Sequence, residues 1–520
     1  MINYWWVTRP KRSLSPVPEV LGLVTCEFLD KQWRGSHSAH LDYEAELEQN
    51  GLKRKGDRRD QGGGGGRTYL AWLQSLGLVF YHGKDKILKP TLAGDALLQG
   101  KSPTEVLTRQ VLNYQFPSAF SLGRNVQVAS RFKIRPFRFL LRLLLDTRIE
   151  EKISEEEIAK IVAVEAENES DKCYEHVVSR ILEFREKGDA CLPSNFDSLY
   201  SSTRSKKPLE NLIAVANTMA NWLSYTQFVS REGDVMTIPV DKRDSVLLAL
   251  QNDAGLIKCP QNHENFQRQY GLDPWHHKDT RNMAGTSNVT SMQIGAFKIQ
   301  QTLLRIATQK PINTISASIV NDVSEATGYN KDFVEDTLYK IFPAGALESF
   351  YSAYTQMAVN GLEDCISFEK ATAQLFDTIF GFKTKHVGQV GLSPDVLIVS
   401  DDGGYQAIVD NKAYQQYSIT NDHKNRMCVN YINDLAHYSD CAYPLVFFSY
   451  IAGGFVSNIS AQISNIAKET GVHGSAISAS TLVSLCKMHS SEKYSHSDLR
   501  QLFSVDRRIN ITDITTIKNE

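Results

Sequence analysis

The alternation of apolar and polar positions changes character several times along the chain. Between residues 68 and 98, Tyr69, Leu70, Leu73 and Leu76 recur at helical spacing. Two short runs follow, 78–81 and 86–89, around the turn His82-Gly83-Lys84-Asp85, and another short helix begins near Thr91. Helix, hairpin, helix is the pattern of a winged helix. It returns downstream, with a helix over 209–223, strands over 224–230 and 234–239 around Arg231-Glu232-Gly233, and a helix over 241–251. The two stretches share an architecture rather than a sequence repeat. Between them, residues 153–184 are amphipathic and acidic, which suits a solvated helical pair. From 289 to 342 the pattern is helical again, with Pro311 and Gly328 as breakers, and fits either a third helical unit or a linker.

Near residue 350 the pattern shifts to alternating strands and helices. A helix over 366–380 places Phe368, Ala371, Leu375 and Ile379 on one face, and strands are predicted over 396–399, 405–409 and 445–450. Helices alternate with them over 421–438, 458–470 and 480–488, which makes the last third an α/β domain with its own core. A chain of 520 residues is too long for one ordinary core. The expected fold is multidomain. Residues 1–190 form an N-terminal winged-helix region, 191–285 a second winged-helix-like domain, 286–350 a helical linker or third helical subdomain, and 351–520 the α/β domain.

Composition adds limits rather than identity. The 42% of hydrophobic residues and 22% of charged ones are those of a folded protein. A net charge of -2, from 57 basic and 59 acidic residues, removes a whole-chain argument for nucleic acid but leaves room for a local one. The cysteines are scattered without a CxxC pair, so neither a zinc site nor a disulfide scaffold is expected. Residues 1–15 lack the apolar stretch of a secretory signal, and a cytosolic location is expected. The apolar run 443–456 is interrupted by Gly453 and Gly454 and falls short of the roughly 20 residues of a membrane helix, so no membrane partner is expected.

The candidate chemistry lies in one hairpin. With Val396 to Ser400 and Tyr405 to Ala413 as its arms and Asp401-Asp402-Gly403-Gly404 as its turn, Ser400 faces Tyr405 and Asp395 falls opposite Asp410. Directly opposed residues have β-carbons about 5 Å apart, so two carboxylates converge and repel unless a cation sits between them. Strand side chains alternate, so Lys412 shares a face with Asp410 while Asn411 points the other way. Magnesium suits such a set, because it is hard and needs only one or two carboxylates when phosphate and water complete its shell. Lys412 would orient and help deprotonate the water, or neutralise charge on the phosphate. Glu369, on the preceding helix, would support the site through a water. The bland alternative makes Asp395 a turn residue and the other two a solvated strand face. It is weakened by their neighbours Ala407, Ile408, Val409 and Ala413, among which a charge is costly without a role.

These residues also carry a resemblance. Ser393-Pro394-Asp395, fourteen intervening residues, then Asp410-Asn411-Lys412 is the PD-(D/E)xK nuclease signature. The wider run, with Gly381-Phe382, Lys385-His386-Val387-Gly388 and Ala407 to Tyr414, resembles FokI-type cleavage domains of restriction endonucleases. About the first 190 residues are similar to the AlwI-type family of type IIS restriction and nicking endonucleases. That similarity rests on Asn3-Tyr4-Trp5-Trp6-Val7, Trp33-Arg34-Gly35, the segment 68–98 and Leu112-Asn113-Tyr114-Gln115-Phe116-Pro117-Ser118. The resemblance implies a type IIS restriction endonuclease, which reads a short asymmetric site in double-stranded DNA and cuts at a fixed distance outside it with magnesium. It further implies a homo-oligomer through the cleavage domains, a dimer or higher assembly up to a tetramer, with helix 421–438 as the contact. A paired DNA methyltransferase and a prokaryotic cytoplasmic location belong to the same implication. Two alternatives remain open, a strand-specific nicking endonuclease and a DNA-binding regulator with an inactive nuclease fold. Intact Asp395, Asp410 and Lys412 argue against the regulator.

For the DNA side, nine basic residues between 101 and 148 (Lys101, Arg109, Arg124, Arg131, Lys133, Arg135, Arg138, Arg142 and Arg148) stand against Glu105 and Asp146. Such an excess suffices to bind phosphates. Arg131, Lys133 and Arg135 are its densest part, ahead of Pro136 as a first helical residue whose neighbouring amides could add to the binding. Arg138 and Arg142 fit the wet side of a helix over 137–145. Candidates for base reading are Trp33, Arg34, Arg58, Arg59 and Arg67. A second polar group, His263, Arg268, His276, His277, Lys278 and Arg281, fits a loop or a DNA contact.

Overall fold

The computed structural model describes residues 2–29, 31–55, 62–118, 128–200, 209–252, 255–258, 261–283, 291–361, 364–388 and 392–517. The chain divides into two compact units: 1–229 with 236–304 and 314–344, and 345–520 with 230–235 and 305–313. No helix among the described residues is long and apolar enough to cross a membrane.

In the first unit the helix Gly64–Ser75, the strands Val79–His82 and Ile87–Pro90 and the helix Leu92–Leu98 follow one another as the spacing predicts. The strands pair antiparallel from Val79↔Pro90 to His82↔Ile87, and Thr91 caps the second helix by accepting from Gly94 N. The downstream stretch has the same order of elements, the helix Glu210–Tyr225, strands Ser230–Glu232 and Val235–Thr237, and helix Arg243–Gln251. Its first strand is shorter than expected, because the helix runs on to Tyr225 and buries that residue along with Trp222. The solvated pair expected over 153–184 is corrected on its first half. Residues 155–165 form a helix with a π turn that buries Ile158, Ile161 and Val162 almost completely, started by a capping box of Ser154 and Glu157. Asp171–Lys187 is the amphipathic partner. The helices Ser291–Ala307, Ala317–Thr327 and Lys331–Ile341 fall mostly within the first unit, and Gly328 ends the second of them at φ +73°.

The second unit is built on α1 (Leu347–Met357), α2 (Cys365–Thr378), β1 (Lys383–His386), β2 (Val396–Ser400), β3 (Tyr405–Asn411), α3 (Asn421–Asn425) and β4 (Leu445–Ala452). It continues with α4 (Ile459–Thr470), β5 (His473–Ser478), α5 (Ala479–Glu492), α6 (His496–Phe503), β6 (Arg507–Arg508) and α7 (Ile511–Thr516). The sheet order is β6-β5-β4-β3-β2-β1. β1, β2 and β3 pair antiparallel, and β3, β4, β5 and β6 parallel. Side chains alternate across it. Val396, Ile398, Ala407 and Val409 pack with Phe350, Phe368, Phe376 and Leu485, whereas Leu397, Ile408, Phe448 and Tyr450 pack with Tyr417, Met427, Ile463 and Ile466. Burial on both faces explains why β4 reads as a continuous apolar run. At the β2–β3 turn Gly404 takes φ +61°, and its N–H reaches Asp401 O at 3.3 Å.

The single helix expected over 421–438 is not formed. α3 passes into a π turn at Arg426–Ile432, and only a 3-10 turn, Leu435–His437, follows. Asn433 and Asp434, whose short polar side chains favour turns over helix, stand at the break.

Phe376 is fully buried against Phe380, Phe382 and Phe503. Phe376→Ala is expected to cost about 3–5 kcal/mol, read by urea unfolding, and a loss below about 1 kcal/mol would contradict this core.

Candidate active site

The register of β2 and β3 runs from Ser400↔Tyr405 to Val396↔Val409. One further step sets Asp395 opposite Asp410, as the spacing predicts. Three backbone contacts fix Asp395. Its Oδ2 accepts from Asn411 N at 2.6 Å, and its carbonyl accepts from Val387 N and Gly388 N at 2.9 and 3.3 Å. Asp410 is 2% exposed. Its Oδ2 receives Lys412 Nζ at 2.7 Å, while its Oδ1 is buried without a donor among the described residues. Asn411 points the other way, donating from Nδ2 to Thr372 Oγ1 at 2.6 Å, and Thr372 shares a hydrogen bond with Tyr354. The alternation expected for the strand is therefore present, and Asn411 ties it to α2.

Burial and the charge of Asp410 push the Asp395 carboxyl well above the usual carboxylate range, with Glu369 adding to the effect and Lys412 and the Asn411 amide opposing it. Burial works against the charge on Lys412, but Asp410 and Asp395 together hold the ammonium above its ordinary value. Glu369 is buried on α2, and its Oε2 meets His386 Nε2 at 3.0 Å. His386 received no role from the sequence, although it stood in a quoted run. A wall of tyrosines was also missed. Tyr417, Tyr431 and Tyr450 are held above the ordinary phenol value by burial first and by Asp410 next or soon after, and Tyr417 OH pairs with His423 Nδ1 at 2.8 Å. Tyr450 is the β4 residue in register with Asp410, a parallel pairing that no spacing in the sequence marks.

A family model described as the FokI cleavage domain matches residues 328–510. A second, described as the N-terminal domain of the type II restriction endonuclease HgaI, matches residues 99–236. The chain is a type II restriction endonuclease. Its two matched modules support the type IIS class and a DNA-binding nuclease. No curated protein matches. Among solved structures, the chain is 14% identical to FokI over 98% of this chain and 100% of that one, at a TM-score of 0.31. It is 14% identical to FokI bound to DNA over 87% and 84%, at 0.30. The BpuJ1 endonuclease binding domain, in complex with pyrene- and phenanthrene-modified DNA, is 13% identical over 52% and 96%, at 0.39. Scores this low carry no argument.

The endonuclease's expected DNA contacts separate into three groups. Arg34 and Lys133 are exposed and have no side-chain partner among the described residues, whereas Arg67 donates to Gly62 O. Arg58, Arg59 and Arg124 lie outside the described residues. The third group is corrected. Trp33 is a core residue, edge-on to Phe28 and Tyr43. Arg135 is 3% exposed with its guanidinium on Glu169, and Arg131 binds Glu167 at 2.7 Å and Asn3 Oδ1 at 3.0 Å. Arg138, expected on a wet face, is buried on the carbonyls of Ala249 and Leu250, at 3.0 and 2.6 Å. Arg142 pairs with Asp171 at 2.7 Å, and Arg148 with Asp146 at 2.6 Å and Glu175 at 2.5 Å. The basic band is neutralised largely by acids that begin beyond residue 148.

The second polar group is also mostly internal. Arg268 and Arg281 converge on Asp279 at 3.1 and 2.9 Å, His276 pairs with Asp273 at 2.8 Å, and His263 stacks on Tyr81. His277 and Lys278 are exposed.

Two outcomes follow from these pairings. Burial alone would raise Asp279, yet hydrogen bonds from Arg281 and Arg268 hold its carboxyl at about 2. A carboxyl depressed below its unfolded value of about 3.9 stabilises the fold above that pH and loses its contribution as pH falls through the folded value. Asp279→Asn is therefore expected to destabilise the endonuclease at neutral pH, by an amount that shrinks from about pH 4 towards about pH 2. Urea unfolding at several pH values reads this, and a pH-independent difference would refute it. Arg135→Ala is expected to lower stability by about 1–3 kcal/mol without changing the salt dependence of DNA binding. Equal stability with a weaker salt dependence would restore the phosphate role.

Proposed function

We propose that this endonuclease reads a short asymmetric site in double-stranded DNA and hydrolyses phosphodiester bonds at a fixed distance outside it, with magnesium. The observation that carries the reading is the buried Asp410 Oδ1, which has no donor among the described residues and lies on the face shared with Lys412 and opposite Asp395. An unpaired buried carboxylate oxygen is costly, and a hard cation removes the cost. Asp395 and Asp410 would hold it, and it would supply a Lewis acid for the scissile phosphate.

Lys412 hydrogen-bonds the attacking water and offsets the charge that gathers on the phosphate as it becomes pentavalent. Glu369, oriented by His386, supports the site through water. Recognition falls to residues 1–190 and 191–285, with 286–350 as a helical connection and 351–520 as the cleavage domain. We read the first 190 residues as AlwI-type, and Arg34, Arg58, Arg59, Arg67, Arg124 and Lys133 are the contacts we retain. One active site cuts one strand, so a double-strand break takes a homo-oligomer paired through segment 421–438, where Val429 is 58% exposed. A methyltransferase of the same specificity would protect the host.

Asp395→Ala and Asp410→Ala are each expected to abolish cleavage while leaving site-specific binding, measured by gel shift in calcium, nearly unchanged. Parallel loss of binding would sink the two-module reading. Lys412→Ala is expected to slow cleavage by about a hundredfold or more. A plasmid digest should yield linear product, and accumulation of nicked circles alone would show a strand-specific nicking enzyme.

A further inference from the structure

Four basic side chains of the first unit that are unpaired among the described residues lie in and beside one hairpin, outside the basic band from 101 to 148. Gln32 bridges Ile87 antiparallel, and Leu88 N donates to Lys31 O at 3.3 Å. The short segment 31–34 thus lies along the outer strand of the hairpin, and its direction carries Arg34 towards the turn. Lys31, Arg34 and Lys84 are exposed and Lys86 is partly so. None of the four has a side-chain hydrogen bond or ion pair among the described residues, and Asp85 is the acid within this turn.

The hairpin is held rather than free. Glu264, on the helix His263–Tyr270, meets His82 Nδ1 at 2.8 Å with one oxygen and accepts from Gly83 N at 3.2 Å with the other. Tyr81 stacks on His263 with ring centroids 5.7 Å apart. Lys86 sits at φ +53°, a conformation that L side chains rarely adopt. A strained, clamped turn that keeps its cations unpaired matches a surface preorganised for an anion outside the chain.

We propose that the hairpin edge formed by residues 31–34 and 82–86 binds the phosphodiester backbone of duplex DNA through Lys31, Arg34, Lys84 and Lys86. This rests on the reading of the N-terminal half as the recognition part. Contacts of this kind release counterions and give affinity without sequence information.

The test uses the full chain in calcium, with a random-sequence duplex and fluorescence anisotropy across salt concentrations. A variant carrying Lys31→Ser, Arg34→Ser, Lys84→Ser and Lys86→Gly is expected to bind more weakly and to lower the salt slope by about 3.6, at about 0.9 per lost contact. Arg142→Ala with Arg148→Ala, which removes cations paired inside the fold, is expected to leave the slope unchanged. Lys86→Gly alone suits the backbone conformation, so it should keep the parent's melting temperature and lower the slope by about 0.9; this single variant decides the matter if the quadruple one does not fold. A parent that binds with its full slope and variants that match it would overturn the hairpin assignment alone. A parent without salt-dependent DNA binding would overturn the recognition reading as well.

Discussion

Two carboxylates on adjacent strands repel each other, and the second unit is organised around making them stay. At about 5 Å and an effective dielectric near 20, the repulsion between Asp395 and Asp410 is about 3 kcal/mol. Asp410 cannot retreat, because β3 is a central strand buried along its whole length. Asp395 cannot either, since β3 binds its side chain through Asn411 N and the stretch after β1 binds its carbonyl. On the opposite face Asn411 is anchored to Thr372, so α2 fixes the facing of the strand that carries Asp410 and Lys412. A one-residue slip of β3 would turn both away from Asp395 and bring Asn411 in. The hairpin register is thus the quantity on which the site depends, and the Gly403-Gly404 turn, two core layers and one side-chain amide all specify it.

Charge is handled oppositely in the first unit. There most arginines of the band from 109 to 148 are brought against carboxylates or backbone carbonyls, which gives orientation and rigidity and leaves little field for an approaching anion. The Arg131 guanidinium carbon sits 4.4 Å from the Phe132 ring centre while bound to Glu167, and that of Arg142 sits 3.8 Å from the Tyr174 ring centre while bound to Asp171. These guanidiniums act as planar struts between elements, a use for which lysine is a poor substitute. The near-neutral total of 57 basic and 59 acidic residues is consistent with such pairing.

What was legible in the sequence follows from the range of the interactions involved. The facing of Asp395, Asp410, Lys412 and Asn411 came through because period-two alternation and a glycine turn are local rules. The helix-hairpin-helix stretch was legible for the same reason. The basic band was misread because a window ending at Arg148 omits Glu167, Glu169, Asp171 and Glu175, which fold back onto it. Trp33 was misread because nothing near it in sequence shows that Tyr43, ten residues on, returns to cover it. The pairing of Glu369 with His386 joins a helix to a strand edge, and the wall of Tyr417, Tyr431 and Tyr450 joins three separate elements. Neither leaves a spacing to read. The break after Ile432 was hidden because the apolar pattern continues across it while Asn433 and Asp434 do not favour helix.

The charge of the catalytic surface couples substrate binding to cation binding on the reading proposed. The carboxyls of Asp395, Asp410 and Glu369 outnumber the single ammonium of Lys412, so the surface they form disfavours a phosphodiester that carries a negative charge of its own. Burial strengthens that repulsion, because little water reaches Asp410 to screen it. Protonation of Asp395 relieves part of it, and the upward displacement of that carboxyl records the tendency. A divalent cation relieves more, since its two positive charges offset both of the negative charges left over after Lys412. On that reading the feature that makes the site costly to fold, a buried acid facing another acid, is the same feature that would keep DNA away from it until a cation is in place.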